Sequence, residues 1–237
     1  SNDFALLNGI GGECAGAVSV MPEGMAPAMK PGYRELHGEE LHRMIIELPR
    51  RPLLAGIEGI RLSLAGAQNK LPVSMEDCRI FIATGNAPSS HIMKPPIRDL
   101  EDTVGNEAFC MMLEHKMGLS VPPVTIRRGL DRIFIIARYD RSKDTDGRIV
   151  RLHQEDFCQA LGFLPEQKYE SEGGPSLKQC FTLLHEKSIR PAADRMALLR
   201  WTIFNVLIGN ADAHAKNLAM LFTDRGPRLA PFYDLIC

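Results

Sequence analysis

No familiar short motif declares the chemistry of this chain. It has no Walker loop, no GxGxxG dinucleotide fingerprint, no GxSxG nucleophile elbow and no HExxH zinc helix. The common signatures of P-loop nucleotide hydrolysis, dehydrogenation, serine hydrolysis and zinc proteolysis are therefore missing. Charge of one sign is missing too: 28 Lys and Arg face 29 Asp and Glu, for a net charge of −1. Nothing global draws the chain to nucleic acid or to a membrane surface. No apolar run approaches the ~20 residues of a membrane span, and no basic stretch precedes an apolar core as in a signal peptide. The six cysteines (Cys14, Cys78, Cys110, Cys158, Cys180 and Cys237) form no CxxC pair. They read as reduced residues of a cytoplasmic protein, with Cys110 and Cys158 as small hydrophobes inside helices. His214 stands in an Asp-x-His pattern with no second His or Cys at ligand spacing, which argues against zinc. Internal repeats and low-complexity tracts are also missing.

What remains is an ordinary globular composition, 45% hydrophobic and 24% charged, over 237 residues. That length allows one large domain or two lobes. The pattern predicts a strand over 15–21, an irregular loop over 22–38 and a helix over 39–48. Strands follow at 61–64, 71–75, 79–83 and 91–94, and a long helix at 102–117 with Val104, Ala108, Met111, Met112, Leu113 and Met117 along one side. A buried strand at 133–139 precedes helices at 154–161, 176–185 and 192–208. Residues 218–222 and 228–233 read as a closing hairpin, and 171–175 as a flexible connector. Strands first and helices later predict an α+β, two-lobed fold with its cleft near Tyr139. The apolar ending, Pro231 to Cys237, reads as a fold cut in mid-domain, because termini are usually solvated.

The densest polar cluster is Gly209-Asn210-Ala211-Asp212-Ala213-His214-Ala215-Lys216-Asn217. Phosphoryl transfer uses an Asp that takes the proton of the attacking hydroxyl, then an Asn and a second Asp that hold magnesium. Asp212 and Asn217 have the spacing of that base and that Asn, and Asp234 follows after a short strand. The His-Arg that usually precedes the base is replaced by Asn210-Ala211. A plain polar loop after a helix stop is the competing reading. Ala65, Gly66, Ala67, Gln68, Asn69 and Lys70 lie between strand-like segments, where small residues let backbone N–H groups approach a phosphate. Taken alone, they are more simply explained as a packed glycine hairpin, since glycine turns are common. Lys94 at a strand end suits phosphate contact or plain solvation, and Glu107 reads best as a surface charge.

Taken in order, these segments resemble the HipA-like serine/threonine kinases, toxins of bacterial toxin–antitoxin systems. The resemblance is carried by Ser63 to Lys70, His91 to Lys94, Asn106 to Cys110, Ala137 to Arg141, Gln154 to Gly162, Ile208 to Asn217 and Pro231 to Asp234. It implies a bilobal protein-kinase-like fold, with an antiparallel sheet in an N-terminal lobe (1–140) and a helical C-terminal lobe (141–237), the latter truncated. It implies ATP and Mg2+ as cofactors. The loop from Ala65 to Lys70 and Lys94 would meet the phosphates, and Ala137, Arg138 and Tyr139 would face adenine. Asp212 would be the base, Asn217 and Asp234 the metal ligands, and His214 and Lys216 further nucleotide contacts. Ser63 matches the family's autophosphorylated serine, where a phosphate adds nearly two negative charges beside the phosphate loop. Asn69 and Ala137 stand where the family commonly has acidic residues.

The resemblance also implies an aminoacyl-tRNA synthetase as substrate and a HipB-like helix-turn-helix antitoxin as partner. DNA would be reached only through that antitoxin, with no membrane involved. Two other functions stay open at this level. One is a small-molecule kinase on the same fold, and the other is a catalytically silent module that binds an antitoxin.

Overall fold

The computed structural model describes residues 15–18, 23, 31–49, 68–97 and 100–237. The chain divides into two compact units. The first comprises Ser1–Gly105 and Val124–Arg151, and the second Asn106–Pro123 and Leu152–Cys237.

The first unit is built on a six-stranded sheet. Its strands are β1 (Gly32–Glu35), β2 (Leu71–Glu76), β3 (Arg79–Thr84), β4 (His91–Lys94), β5 (Val124–Arg128) and β6 (Arg132–Ala137), in the order β1-β3-β2-β4-β6-β5. Every pairing is antiparallel. Helix α1 (Gly38–Glu47) supplies Leu41 and Met44 to a core made with Leu71, Val73, Ile80 and Ile82 of the sheet. The strands expected at 71–75, 79–83 and 91–94 are present within a residue or so. The expected loop over 22–38 instead contributes the edge strand β1. Residues 15–18 form a turn, not the start of a strand, and the strand expected at 61–64 lies outside the described residues. A small hairpin, β7 (Arg141–Lys143) with β8 (Ile149–Arg151), completes the unit.

Helix α2 (Thr103–Lys116) buries Val104, Ala108 and Met111 as expected, but leaves Met112 and Met117 about half exposed, at 52% each. Glu107 on the same helix is 3% exposed, so it is not the surface charge that its position suggested.

The second unit opens with β9 (Gln154–Asp156) and continues with α3 (Phe157–Leu161), α4 (Leu177–Lys187), α5 (Pro191–Ile208) and the hairpin β10 (Ala219–Thr223) and β11 (Gly226–Leu229). The helix expected from 154 begins only at 157, because Asp156, Glu155 and Gln154 pair with Ala219, Met220 and Leu221 of β10. Asp156 then caps α3: its carboxylate accepts from Gln159 N while the Gln159 side chain accepts from Asp156 N. Ser176 and Gln179 repeat that capping box at the start of α4. The carboxylate of Asp194 ties α5 to β11, accepting from Ser188 Oγ at 2.6 Å and Leu229 N at 2.8 Å and pairing with Arg190 at 2.8 Å. No helix among the described residues is long and apolar enough to cross a membrane.

Candidate active site

The loop after α5 is set by the way that helix stops. Gly209 takes φ 73°, a left-handed turn that suits glycine, and its N–H reaches the carbonyls of Asn205 and Val206. A ladder of amides then leads out of the helix. Asn205, 3% exposed, donates from Nδ2 to Trp201 O at 2.8 Å. Its Oδ1 accepts from Asn210 Nδ2 at 2.6 Å, and Asn210 Oδ1 accepts from Asp212 N at 3.0 Å. Asn210 thus fixes the backbone at Asp212.

Asp212 and Asn217 are brought together. Asn217 is buried in a single 3-10 turn (Ala215–Asn217) and donates from Nδ2 to the Asp212 carbonyl at 3.0 Å. With its NH2 committed, the side-chain oxygen Oδ1 is the end of that amide left for a cation. The Asp212 side chain is half exposed and open to an outside group.

Asp234 is carried toward the same turn. Tyr233 Oη donates to Lys216 O at 2.8 Å, which sets the residue before Asp234 against the residue before Asn217. The neighbours of Asp234 are anchored on both sides. Phe232 stacks on Trp201 with ring centroids 5.8 Å apart, Leu235 is fully buried, and Cys237 N donates to Asn106 Oδ1 at 3.0 Å. Asp234 itself sits at φ 55°, a region that non-glycine residues enter only when their surroundings hold them there. An amide oxygen and a carboxylate are the hard oxygen donors that Mg2+ takes alongside phosphate oxygens.

Three groups converge on one oxygen of Asp212. Tyr169 Oη donates to Oδ1, Lys168 Nζ lies 3.8 Å from it and His214 Nε2 3.7 Å from it. The His214 side chain is 7% exposed, and burial, then the Lys168 charge, pulls its pKa below the ordinary imidazole value. It is therefore neutral at pH 7. Its ring meets the Tyr169 ring edge-on at 5.0 Å, and Lys168 Nζ lies 4.7 Å from the centroid of that ring. Lys168 and Tyr169 were not found from the sequence. The only local signal is Gly173-Gly174 just after them, read there as a flexible connector. In the fold it is a tight turn, with Gly174 N donating to Tyr169 O at 2.8 Å.

In the first unit, Lys94 is 5% exposed, with Nζ 5.7 Å from the Phe134 ring centroid. Leu71 pairs with Met93, so Gln68, Asn69 and Lys70, which lead into β2, lie at the Lys94 end of β4. Ala137 pairs with His91 at the opposite end of that strand. Arg138 is buried and donates to both oxygens of Asp140, at 2.9 and 2.7 Å, and to Ser89 Oγ at 3.0 Å. Its guanidinium is thus occupied inside the unit, and Tyr139 is half-buried beside it. Ser63, Ala65, Gly66 and Ala67 lie outside the described residues.

A family model described as HipA-like C-terminal domain matches residues 62–237. The chain is 49% identical over its whole length to a Sinorhizobium fredii protein titled "Putative kinase Y4mE", of which it covers 58%. It is 34% identical over 99% of its length to the serine/threonine-protein kinase toxin HipA of Shewanella oneidensis, covering 56% of that protein. The chain therefore spans a little over half the length of these relatives. Among solved structures it resembles the Shewanella oneidensis HipA in complex with HipB and operator DNA, with a TM-score of 0.77 and 32% identity. That match covers 100% of this chain and 57% of that one. It shares the fold of the Helicobacter pylori proinflammatory kinase CtkA at a TM-score of 0.51 and 15% identity, over 72% of this chain and 54% of the other.

Proposed function

The chain belongs to the HipA-like C-terminal domain family and has its α+β kinase-like fold, and on that footing we propose that it is the core of an ATP- and Mg2+-dependent serine/threonine protein kinase. The observation that carries this reading is the Asn217 to Asp212 bond at 3.0 Å, which holds a base-type carboxylate and a ligand-type amide in one six-residue loop.

In the proposed reaction Asp212 orients the acceptor hydroxyl and takes its proton. The acceptor oxygen attacks the terminal phosphorus in line, the bond to the bridging oxygen breaks and ADP leaves. Asn217 and Asp234 would hold the Mg2+, which when bound spreads the charge of the phosphates. Lys94 is assigned to the phosphates together with the loop from Ala65 to Lys70. The backbone of Ala137, Arg138 and Tyr139 is assigned to adenine, at the other end of the same strand. His214 and Lys216 complete the nucleotide contacts. By function, 1–140 acts as the nucleotide lobe and 141–237 as the catalytic lobe.

Ser63 is the proposed autophosphorylation site, and a protein hydroxyl, on the family's pattern that of an aminoacyl-tRNA synthetase, the proposed target. A HipB-like helix-turn-helix antitoxin is the proposed partner, in keeping with the HipB seen on the Shewanella oneidensis structure. DNA contact would run through that antitoxin, and the setting would be cytoplasmic.

The test is incubation of the full-length protein with Mg2+ and labelled ATP, alongside Asp212→Asn. Label on the wild type alone, mapping to Ser63, is the expected result. Equal label on both proteins would remove Asp212 from the reaction. No label, no ATP-induced rise in Tm and a co-purifying helix-turn-helix protein would replace the kinase with a silent antitoxin-binding module.

A further inference from the structure

Proton transfer to a carboxylate depends on which of its two oxygens faces the acceptor. In Asp212 the contacts are lopsided: Tyr169 Oη, Lys168 Nζ and His214 Nε2 all address Oδ1. His214 is neutral and 3.7 Å away, so it supplies neither a full charge nor a good hydrogen bond. Tyr169 supplies the hydrogen bond and Lys168 the charge.

These two residues lie outside the loop they act on and are tied to it. Lys168 O accepts from Ala215 N at 3.3 Å, which joins their segment to the catalytic turn. Tyr169 O accepts from Gly174 N at 2.8 Å and from Glu172 N at 3.1 Å. The turn closes so tightly that a Cβ on Gly174 would fall 2.8 Å from Tyr169 O and closer still to Gln167 O. Only glycine fits there, and its fit fixes where Tyr169 stands. The Tyr169 ring is then flanked by the Lys168 ammonium at 4.7 Å and the edge of His214 at 5.0 Å.

Resting on the kinase reading above, we infer that Lys168 and Tyr169 are positioning residues for Asp212: they hold Oδ1 and leave Oδ2 as the oxygen that accepts the substrate proton. Removing the donor frees the carboxylate to turn and takes Oδ2 out of line with the acceptor hydroxyl.

The first measurement is the 13C chemical shift of the Asp212 carboxyl at one fixed pH in the full-length protein without nucleotide, comparing wild type with Tyr169→Phe. The Asp212 signal, identified by its loss in Asp212→Asn, should move in Tyr169→Phe, because Oδ1 loses its hydrogen-bond donor. Lys168→Met should move it by less, since that lysine is one-third exposed, and Lys168→Arg should restore it. Phosphoryl transfer is measured in parallel. Tyr169→Phe should lower kcat about tenfold with the KM for ATP within about twofold. Gly174→Ala, which displaces Tyr169 without altering its hydroxyl, should copy both effects. An unmoved carboxyl signal in Tyr169→Phe would overturn the inference whatever the kinase does. Retained transfer by Asp212→Asn would instead sink the kinase role, with the carboxyl signal still deciding whether Tyr169 holds the carboxylate.

Discussion

Two aspartates, one in each unit, show what separates a carboxylate kept for structure from the one proposed for chemistry. Asp140 is 3% exposed and fully engaged. Arg138 grips both of its oxygens, Arg141 Nη1 lies 3.0 Å from Oδ2, and Gly16 N donates to Oδ2 at 2.8 Å. Burial pushes its pKa up, but the Arg138 hydrogen bonds and the charges of Arg138 and Arg141 win and hold it below the usual carboxylate range. Asp212 is half exposed, with two of its three side-chain neighbours at 3.7 and 3.8 Å and all of them on one oxygen. A saturated carboxylate has nothing left to offer a substrate. A lopsided one does, and it is held by its backbone more than by its charge.

The largest expected effects test that contrast directly. Asp140→Ala removes the carboxylate that two guanidiniums share, their side chains being 2% and 4% exposed, and breaking such a buried group should destabilise by about 3–5 kcal/mol in urea denaturation. Asp212→Asn should change stability by less than about 0.5 kcal/mol, as an exposed substitution does. Phosphoryl transfer by it should nevertheless fall about 10²–10⁴-fold, the scale of a lost general base. If Asp140→Ala is the milder change in urea, the contrast between the two carboxylates is broken.

How far the sequence reveals all this depends on how far apart the partners lie along the chain. The Asp212 to Asn217 loop is legible because its five-residue spacing is itself the geometry, and the Gly209 stop before it is a local backbone signal. Strands β2, β3 and β4 are legible because each is a short, mostly apolar run bounded by turn or charged residues. β9 is not: Gln154, Glu155 and Asp156 have no strand propensity, and their pairing is imposed by β10 more than sixty residues later. Lys168 and Tyr169 escape for the same reason, being 43 residues from Asp212 in the case of Tyr169. Glu107 misleads because it lies on the buried face of α2, three residues after Val104 and four before Met111, where its charge argues against burial.

Glu114 sharpens the contrast from the other side, as a buried carboxyl with neither role. It is fully buried on α2, and neither carboxyl oxygen has a hydrogen-bond partner. Burial pushes its pKa up to about 8 from an ordinary 4.5. Between those values the folded state holds a proton that the unfolded state has released, so stability falls as pH rises from 4.5 through 8. The slope is at most about 1.4 kcal/mol per pH unit. Glu114→Gln should flatten it, leaving stability near pH 5 little changed and raising it at pH 8. Parallel urea midpoints for the two proteins from pH 5 to 8 would show instead that Glu114 ionises normally.

The smallest effect concerns Asp156, which lies near the turn that carries Asn217 and invites a chemical role. Burial raises its pKa first, with the Gln159 backbone bond and the charges of Lys216 and His214 pulling the other way. Those neighbours belong to the loop of Asp212, but the Asp156 oxygen is already spent on the α3 cap. Asparagine caps a helix about as well as aspartate, whereas alanine does not. Asp156→Ala should therefore lower stability by about 1 kcal/mol and Asp156→Asn by a few tenths. Transfer per folded molecule should be nearly unchanged in both. The asparagine variant is decisive, because it keeps the cap and removes the charge. A loss of transfer in Asp156→Asn comparable to that in Asp212→Asn would mean that the loop works with two carboxylates, and that capping α3 is incidental to why the second one is there.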